Sequence, residues 1–181
     1  MNSRILLRHF AAIVILPFTV LVIVPVWIAH GSGVRLALRG SGSGLLIQAI
    51  GIAALGLGFL LFAASLSRFA REGKGTLAPW DPPRRLVITG PYRFVRNPML
   101  SGVMFMLVGE ACVLLSRPHA VWALMFCATT LLYIPVFEEP ALEARFGPSY
   151  REYARHVPRF IPRGRPWKPD SGEKSFVQRE V

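Results

Sequence analysis

Acidic residues are scarce in this chain: ten Asp and Glu stand against 21 Lys and Arg, giving a net charge of +11 over 181 residues. Cysteine is scarcer still. Cys112 and Cys127 are the only two, and both lie inside apolar stretches with no metal-ligand spacing. A disulfide framework and a thiolate zinc site are thereby excluded, leaving two small buried hydrophobes. No histidine pair has metal-site spacing either. His9, His30, His119 and His156 fall near the ends of apolar segments and read as interface residues. A phosphate-binding loop is also missing. GSGSG at residues 40–44 lacks the preceding strand of a nucleotide fingerprint and reads as a flexible turn.

Apolar sequence is what the chain has in quantity. Hydrophobic residues make up 52% of it, and they come in blocks long enough to face lipid. A bilayer core of about 30 Å needs roughly 20 helical residues. Four segments approach that length: residues 9–29, 44–66, 98–116 and 120–137. Arg4 and Arg8 before the first block resemble a signal-peptide flank, but the block is long and has no convincing small-x-small cleavage site, so it reads as a retained helix. Gly44, Gly51, Ala54, Gly56 and Gly58 give the second block a small-residue surface suited to close packing. Only Arg117, Pro118 and His119 separate the third and fourth blocks, which forces an antiparallel helical hairpin.

The positive charge lies between and after these blocks. In a soluble protein it would point to nucleic acid; here an anionic leaflet surface explains it better. Arg4 and Arg8, the loop over residues 67–97 and the tail hold nearly all of it, against Arg35, Arg39 and Arg117 on the other side. Both termini and that loop are therefore expected in the cytoplasm. The loop is punctuated by Gly and Pro, carries a short apolar patch at residues 86–88, and is expected to fold back over the membrane face. In residues 140–156, Leu142, Phe146, Tyr150 and Tyr153 recur at helical spacing among charges. They predict an amphipathic helix, or two short ones divided at Gly147 and Pro148. The expectation is an all-α polytopic membrane protein of about four transmembrane helices, with a C-terminal hairpin and a cytoplasmic amphipathic tail helix. It divides into N-terminal membrane helices (residues 1–76), a core (77–162) and a polar, disordered tail (163–181).

Chemistry concentrates in two stretches. GPYRFVRNPMLSG (residues 90–102) runs from a polar loop into the third block, crowding Tyr92, Arg93, Arg96 and Asn97 ahead of Pro98. Asn97 suits a helix N-cap and Pro98 a first helical turn, which need no site at all. Glu138 and Glu139 begin the second stretch, EEPALEARFGPSYREYARHVPRFIP (residues 138–162), where the fourth block ends. Acid at a helix C-terminus opposes the macrodipole. Either nearby arginines compensate, or a carboxylate is kept for a cationic ligand. Glu110 lies inside the third block toward its far end and reads as a packing residue.

These two stretches around one hairpin resemble the isoprenylcysteine carboxyl methyltransferase family and its phospholipid methyltransferase relatives, over about residues 77–162. The resemblance implies a membrane-embedded transferase that uses S-adenosylmethionine. By position, Arg84, Arg85, Leu86, Val87 and Tyr92 would line the cofactor site, as would Asn97, Pro98, Met99 and Leu100 at the family's His-Pro-x-Tyr. Glu138, with Glu139 beside it, would hold the cationic methionine end. The departures are Asn97 for histidine, Leu100 for tyrosine, and Ile134 where eukaryotic members place an arginine; the last argues against prenylcysteine as acceptor. The implied partners are membrane lipids and a lipid-soluble or small-molecule acceptor carboxylate, amine or thiol, with no metal and no nucleic acid. If a base is needed, Glu139 and Tyr92 are the candidates. A nicotinamide-dependent membrane reductase with a related core, or an adaptor that has lost turnover, are the alternatives. A bacterial cytoplasmic membrane is the expected location.

Overall fold

The computed structural model describes residues 14–34, 42–73 and 85–168. Arg84, at the start of the expected cofactor segment, and residues 169–181 of the expected tail lie outside them. Among the described residues there is no strand. A π-helical segment, Val14–Ile23, leads into α1 (Val24–Ser32). The long helix α2 (Gly42–Glu72) follows. After the loop come α3 (Pro98–Leu114), α4 (Arg117–Tyr133), α5 (Glu139–Phe146) and α6 (Pro148–His156). A π-helical turn, Ile134–Glu138, joins α4 to α5 without a break, so Arg117–Phe146 is one continuous rod.

Two helices are long and apolar enough to cross a membrane, Gly42–Glu72 and Arg117–Phe146. At 1.5 Å per residue each is about 45 Å long, so one end must project beyond a core of about 30 Å. Pro17–Ser32 and Pro98–Leu114 are shorter apolar helices. The outward faces carry large hydrophobics: Leu46, Leu57, Phe59 and Leu60 on α2, Leu124, Leu132 and Phe137 on the long rod, and Trp27 on α1. No soluble domain leaves a belt of that extent in water. Together with the apolar spans it marks a membrane protein.

The principal helix contact is between α2 and α3, and it is made by glycine. Gly51 backs onto Gly109, and Gly58 onto Gly102. A Cβ on Gly58 would stand 2.7 Å from the Gly102 carbonyl oxygen, and one on Gly109 would stand 2.8 Å from that of Gly51. The pairs are seven residues apart on both helices and run in opposite directions, an antiparallel seam with a two-turn repeat. Gly56, by contrast, has nothing within 4 Å, so the small-residue surface is a stripe at Gly44, Gly51 and Gly58 rather than a general property of the helix. Gln48 sits on the same stripe and donates from Nε2 to the Val113 carbonyl at 2.9 Å. Phe62, Val103, Met106, Leu107 and Ala123 continue the core toward α4.

The hairpin turn is tighter than its sequence suggests. Leu115, at φ 47°, closes α3 in the left-handed region, and Ser116 caps α4 by accepting from the His119 N–H. Arg117, Pro118 and His119 are therefore the first turn of α4, not the connection; Pro118 fits there because a first-turn N–H has no helical partner to lose. His119 is no interface residue. It is buried, with Nδ1 2.7 Å from Ser116 Oγ and Nε2 3.1 Å from the Pro25 carbonyl oxygen. Trp122 Nε1 donates to the Val20 carbonyl at 3.2 Å. Pro25 has no N–H to return to the preceding π-helical turn, so a carbonyl there is left for a side chain from α4 to satisfy.

Candidate functional site

At one end of the bundle the loop, the foot of the long rod and the tail meet. Val87 and Ile88 are buried, and the loop is anchored on the end of α2: Thr89 Oγ1 donates to Glu72 Oε2 at 2.6 Å, and Arg85 N–H to the Gly73 carbonyl at 3.3 Å. Gly90 turns at φ 55° beside the Arg68 side chain, and Gly90–Arg93 form one 3₁₀ turn that buries Tyr92. Asn97 holds the N-cap position of α3, but its side chain makes no capping bond. Its carbonyl instead accepts from Ser101 N–H at 3.0 Å and Ser101 Oγ at 2.9 Å. The Asn97 amide is thus not used up as a cap.

The tail runs antiparallel to this loop and is bonded to it. Arg96 N–H donates to the Pro158 carbonyl, Arg163 N–H to that of Phe94 and Trp167 N–H to that of Arg93, at 2.9, 3.0 and 3.0 Å. Arg93 Nε returns a bond to the Trp167 carbonyl at 2.7 Å. Tyr153 donates its hydroxyl to the Tyr92 carbonyl at 2.7 Å. Ile88, Tyr150, Tyr153 and Val157 form a second core, with Leu86, Leu142, Phe146 and Trp167 packed on it. Packing was expected to stop at Pro162. It continues to Trp167, whose ring stacks on His156 at 5.3 Å; an aromatic ring surrounded by polar sequence was the available sign.

The paired carboxylates do different things. Pro135 supplies no N–H to the ladder, and the helix loosens there into a π turn that re-aims the residues after it. Glu139 is consumed by arginine. Arg159 grips it with Nε on Oε1 at 2.7 Å and Nη2 on Oε2 at 2.5 Å, and Arg96 Nη1 reaches Oε1 at 3.0 Å. Arg96 Nη1 also lies 3.5 Å from the Tyr150 hydroxyl. Among the described residues, Glu138 makes no hydrogen bond and no ion pair, and its charge is felt at Tyr92. Burial first, and then the Glu138 charge, hold the Tyr92 phenol above its usual range. Tyr153 is held up by burial and by its phenol neighbours, and Tyr150 is pushed up to about 12 by burial and the Glu139 charge. Three protonated phenols therefore stand at this rim as donors at any physiological pH. Two guanidinium nitrogens, Arg93 Nη2 and Arg96 Nε, are buried with no hydrogen-bond partner.

The two sequence markers thus meet, through Arg96 with Glu139 and Tyr92 with Glu138. Other expected site residues are partly engaged elsewhere. Pro98 is buried, Leu86 belongs to the tyrosine core, and Met99 packs against the Phe62 and Leu107 cluster. Leu100 is half-buried, and Ile134 is fully buried. An open cleft of about 390 Å³ lies between the long rod and α6, lined by Arg96, Pro135, Glu139, Tyr150, Arg151 and Arg155 among others. Tyr92, Asn97 and Glu138 do not line it. Arg159, outside the expected set, was visible only as one of many tail arginines. No group of three or more His, Cys, Asp or Glu is arranged for a metal among the described residues.

Comparison with known proteins gives this geometry a family. No solved structure matches the chain. A curated methanethiol S-methyltransferase 2 from Bradyrhizobium diazoefficiens is 38% identical over 72 residues, which is 40% of this chain and 27% of that protein. The chain thus spans about a quarter of the relative's length. Residues 46–149, more than half of the chain and including most of α2, the hairpin and both carboxylates, match the phospholipid methyltransferase family, and the chain belongs to that family.

Proposed function

We propose that this protein is an integral-membrane methyltransferase dependent on S-adenosylmethionine, with its site at the rim where loop, rod and tail converge. The observation that carries the reading is the division of labour between adjacent acids. Glu139 is saturated by two guanidiniums, while Glu138 is left without a protein partner beside a neutral phenol. A half-buried carboxylate with no partner among the described residues is costly unless a ligand completes it. The amino-acid end of S-adenosylmethionine is a zwitterion. Glu138 fits its ammonium, and the unpartnered N–H groups of Arg93 and Arg96, with the Asn97 amide, fit its carboxylate.

When bound, S-adenosylmethionine supplies a methyl group on a sulfonium centre. The protein's task is alignment and exclusion of water. Tyr92, protonated and buried, offers a hydrogen bond and is a poor proton acceptor. Glu139, with its oxygens occupied, is a poor one too. No side chain on this rim stands out as a general base. That favours an acceptor already nucleophilic near neutral pH, such as a carboxylate, over a protonated amine. A small thiol, the acceptor in the relative's name, would have to arrive as its minor thiolate form, and the lipid-facing rod beside the cleft suits an apolar acceptor.

We read four membrane crossings, with Pro17–Ser32 and Pro98–Leu114 as the shorter two and the rim on the cytoplasmic side, because basic residues crowd the rim and the polar end of α2. Single cysteines placed at Arg71 and Arg117 test the sidedness. A membrane-impermeant thiol reagent added to intact cells should label the second and not the first; the reverse pattern overturns the orientation. The enzymatic reading is tested by calorimetric titration with S-adenosylmethionine and S-adenosylhomocysteine. Glu138→Ala should weaken binding by roughly 30-fold or more, on the order of the 2 kcal/mol of a lost charge-assisted bond. A wild-type protein that binds neither compound in lipid would remove the proposal.

A further inference from the structure

We propose that Arg159 is a positioning residue for the cofactor site, acting through Glu139 to hold both halves of it. The inference rests on the methyltransferase reading above and goes beyond it, since Arg159 itself lies outside the set that meets the ligand. Arg159 makes a two-pronged grip on a carboxylate, with the Nε–Nη2 edge of its guanidinium on the two Glu139 oxygens. Such a fork fixes a carboxylate in rotation as well as position, which a single contact does not. Two consequences follow from what Glu139 touches.

The first runs along the helix. Glu139 directly follows Glu138 at the exit of the π turn. A π turn has looser hydrogen bonding than the α-helix around it and can shift register. Anchoring Glu139 on the tail holds that register, and with it the placement of the adjacent Glu138. The second runs across to the loop. Oε1 of Glu139 is shared with Arg96 Nη1 at 3.0 Å, and the Arg96 main-chain N–H is bonded to Pro158, the residue preceding Arg159. Side chain and backbone of Arg96 are thereby tied to one short piece of tail. Arg96 precedes Asn97, and its Nε stays buried and unpartnered. One tail residue therefore sets the acidic side and the basic side of the site relative to each other.

The grip is partly exposed, with 37% of the Arg159 side chain accessible against 13% for Glu139, so its effect is expected on geometry more than on global stability. Arg159→Ala and Arg159→Lys separate those roles. In the full-length protein in lipid, Arg159→Ala should raise the dissociation constant for S-adenosylhomocysteine about tenfold. Arg159→Lys, which keeps charge but loses the fork, should fall between Ala and wild type. In turnover the methyl donor's KM should rise more than kcat falls. In the ligand-free protein the Arg96 amide should exchange with solvent faster. A merely structural role lowers the active fraction, and so apparent kcat, while leaving KM and the dissociation constant of the folded fraction unchanged; that pattern would overturn the proposal, as would unaltered binding in both variants. If wild type binds neither S-adenosylmethionine nor S-adenosylhomocysteine, the methyltransferase reading falls and takes this proposal with it. If wild type binds and the variants bind equally well, only the role of Arg159 falls.

Discussion

The α2–α3 seam and the rim formed by loop, rod and tail solve opposite problems. In the seam, two helices lie so close that carbonyl oxygens stand where a Cβ would be. Lipid offers no hydrophobic drive for that association, so contact area and close backbone approach carry it, and glycine is the residue that allows them. The rim has a small core of its own, but polar bonds tie it together. Three segments separated by tens of residues are joined there by main-chain bonds, a forked ion pair and a cluster of tyrosines. The seam is a rigid platform that tolerates no added atom. The rim is a polar assembly in which one carboxylate, Glu138, is left over. On the proposed reading, stability and function lie in different regions, which is what a site with an unsatisfied charge requires of its scaffold.

That contrast can be broken most severely at the seam. Gly58→Leu forces a side chain into the Gly102 carbonyl and the Met106 backbone N, where the Cβ alone would sit at 2.7 and 2.9 Å. The expected cost is at least about 3 kcal/mol, read as a large fall in Tm or a failure to purify as a monodisperse protein. Wild-type-like stability would show that the two helices are not in backbone contact. A smaller effect is expected at the rim. Tyr153→Phe removes one buried hydroxyl bond to Tyr92, worth about 1 kcal/mol, and should lower Tm by a few degrees while loosening the Tyr92 turn. No change in either Tm or cofactor affinity would mean that the tail does not hold the loop. The smallest effect sharpens the comparison from within α2. Gly56 lies two residues from Gly58 but faces open space, so Gly56→Leu should change stability by less than about 0.5 kcal/mol.

Much of this was legible because it is local. Four apolar blocks, the hairpin and the two polar markers are stated in consecutive residues, and Pro98 marks a helix start by residue type alone. The seam was half legible. Glycines in α2 announced close packing, but the sevenfold spacing of Gly51 and Gly58 acquires meaning only beside Gly102 and Gly109 on another helix. The hairpin turn was misread at Arg117, Pro118 and His119 because polar residues there look like a loop, when a cap at Ser116 lets all three begin a helix. His119 looked like a surface residue for the same reason; its burial is explained by Ser116 and by the carbonyl of Pro25, which is distant in sequence. At the rim, composition identified Glu138 and Glu139 as a pair but could not divide them. Their roles part because a proline-loosened turn aims one at Arg159 and the other at Tyr92, a consequence of helical register and tertiary approach. Trp167 escaped notice because its partners, Arg93 and His156, are brought to it by the fold.

The central claim is that Glu138, alone of the two acids, is held for a cationic ligand, and a paired reading on one variant tests it most directly. Glu138→Ala should lose affinity for S-adenosylhomocysteine by roughly 30-fold or more, while the ligand-free protein melts at the same temperature as wild type or higher, because a half-buried carboxylate without a partner among the described residues has been removed. Unchanged affinity, or a lost affinity that comes only with a lowered melting temperature, would contradict the account and return Glu138 to the scaffold.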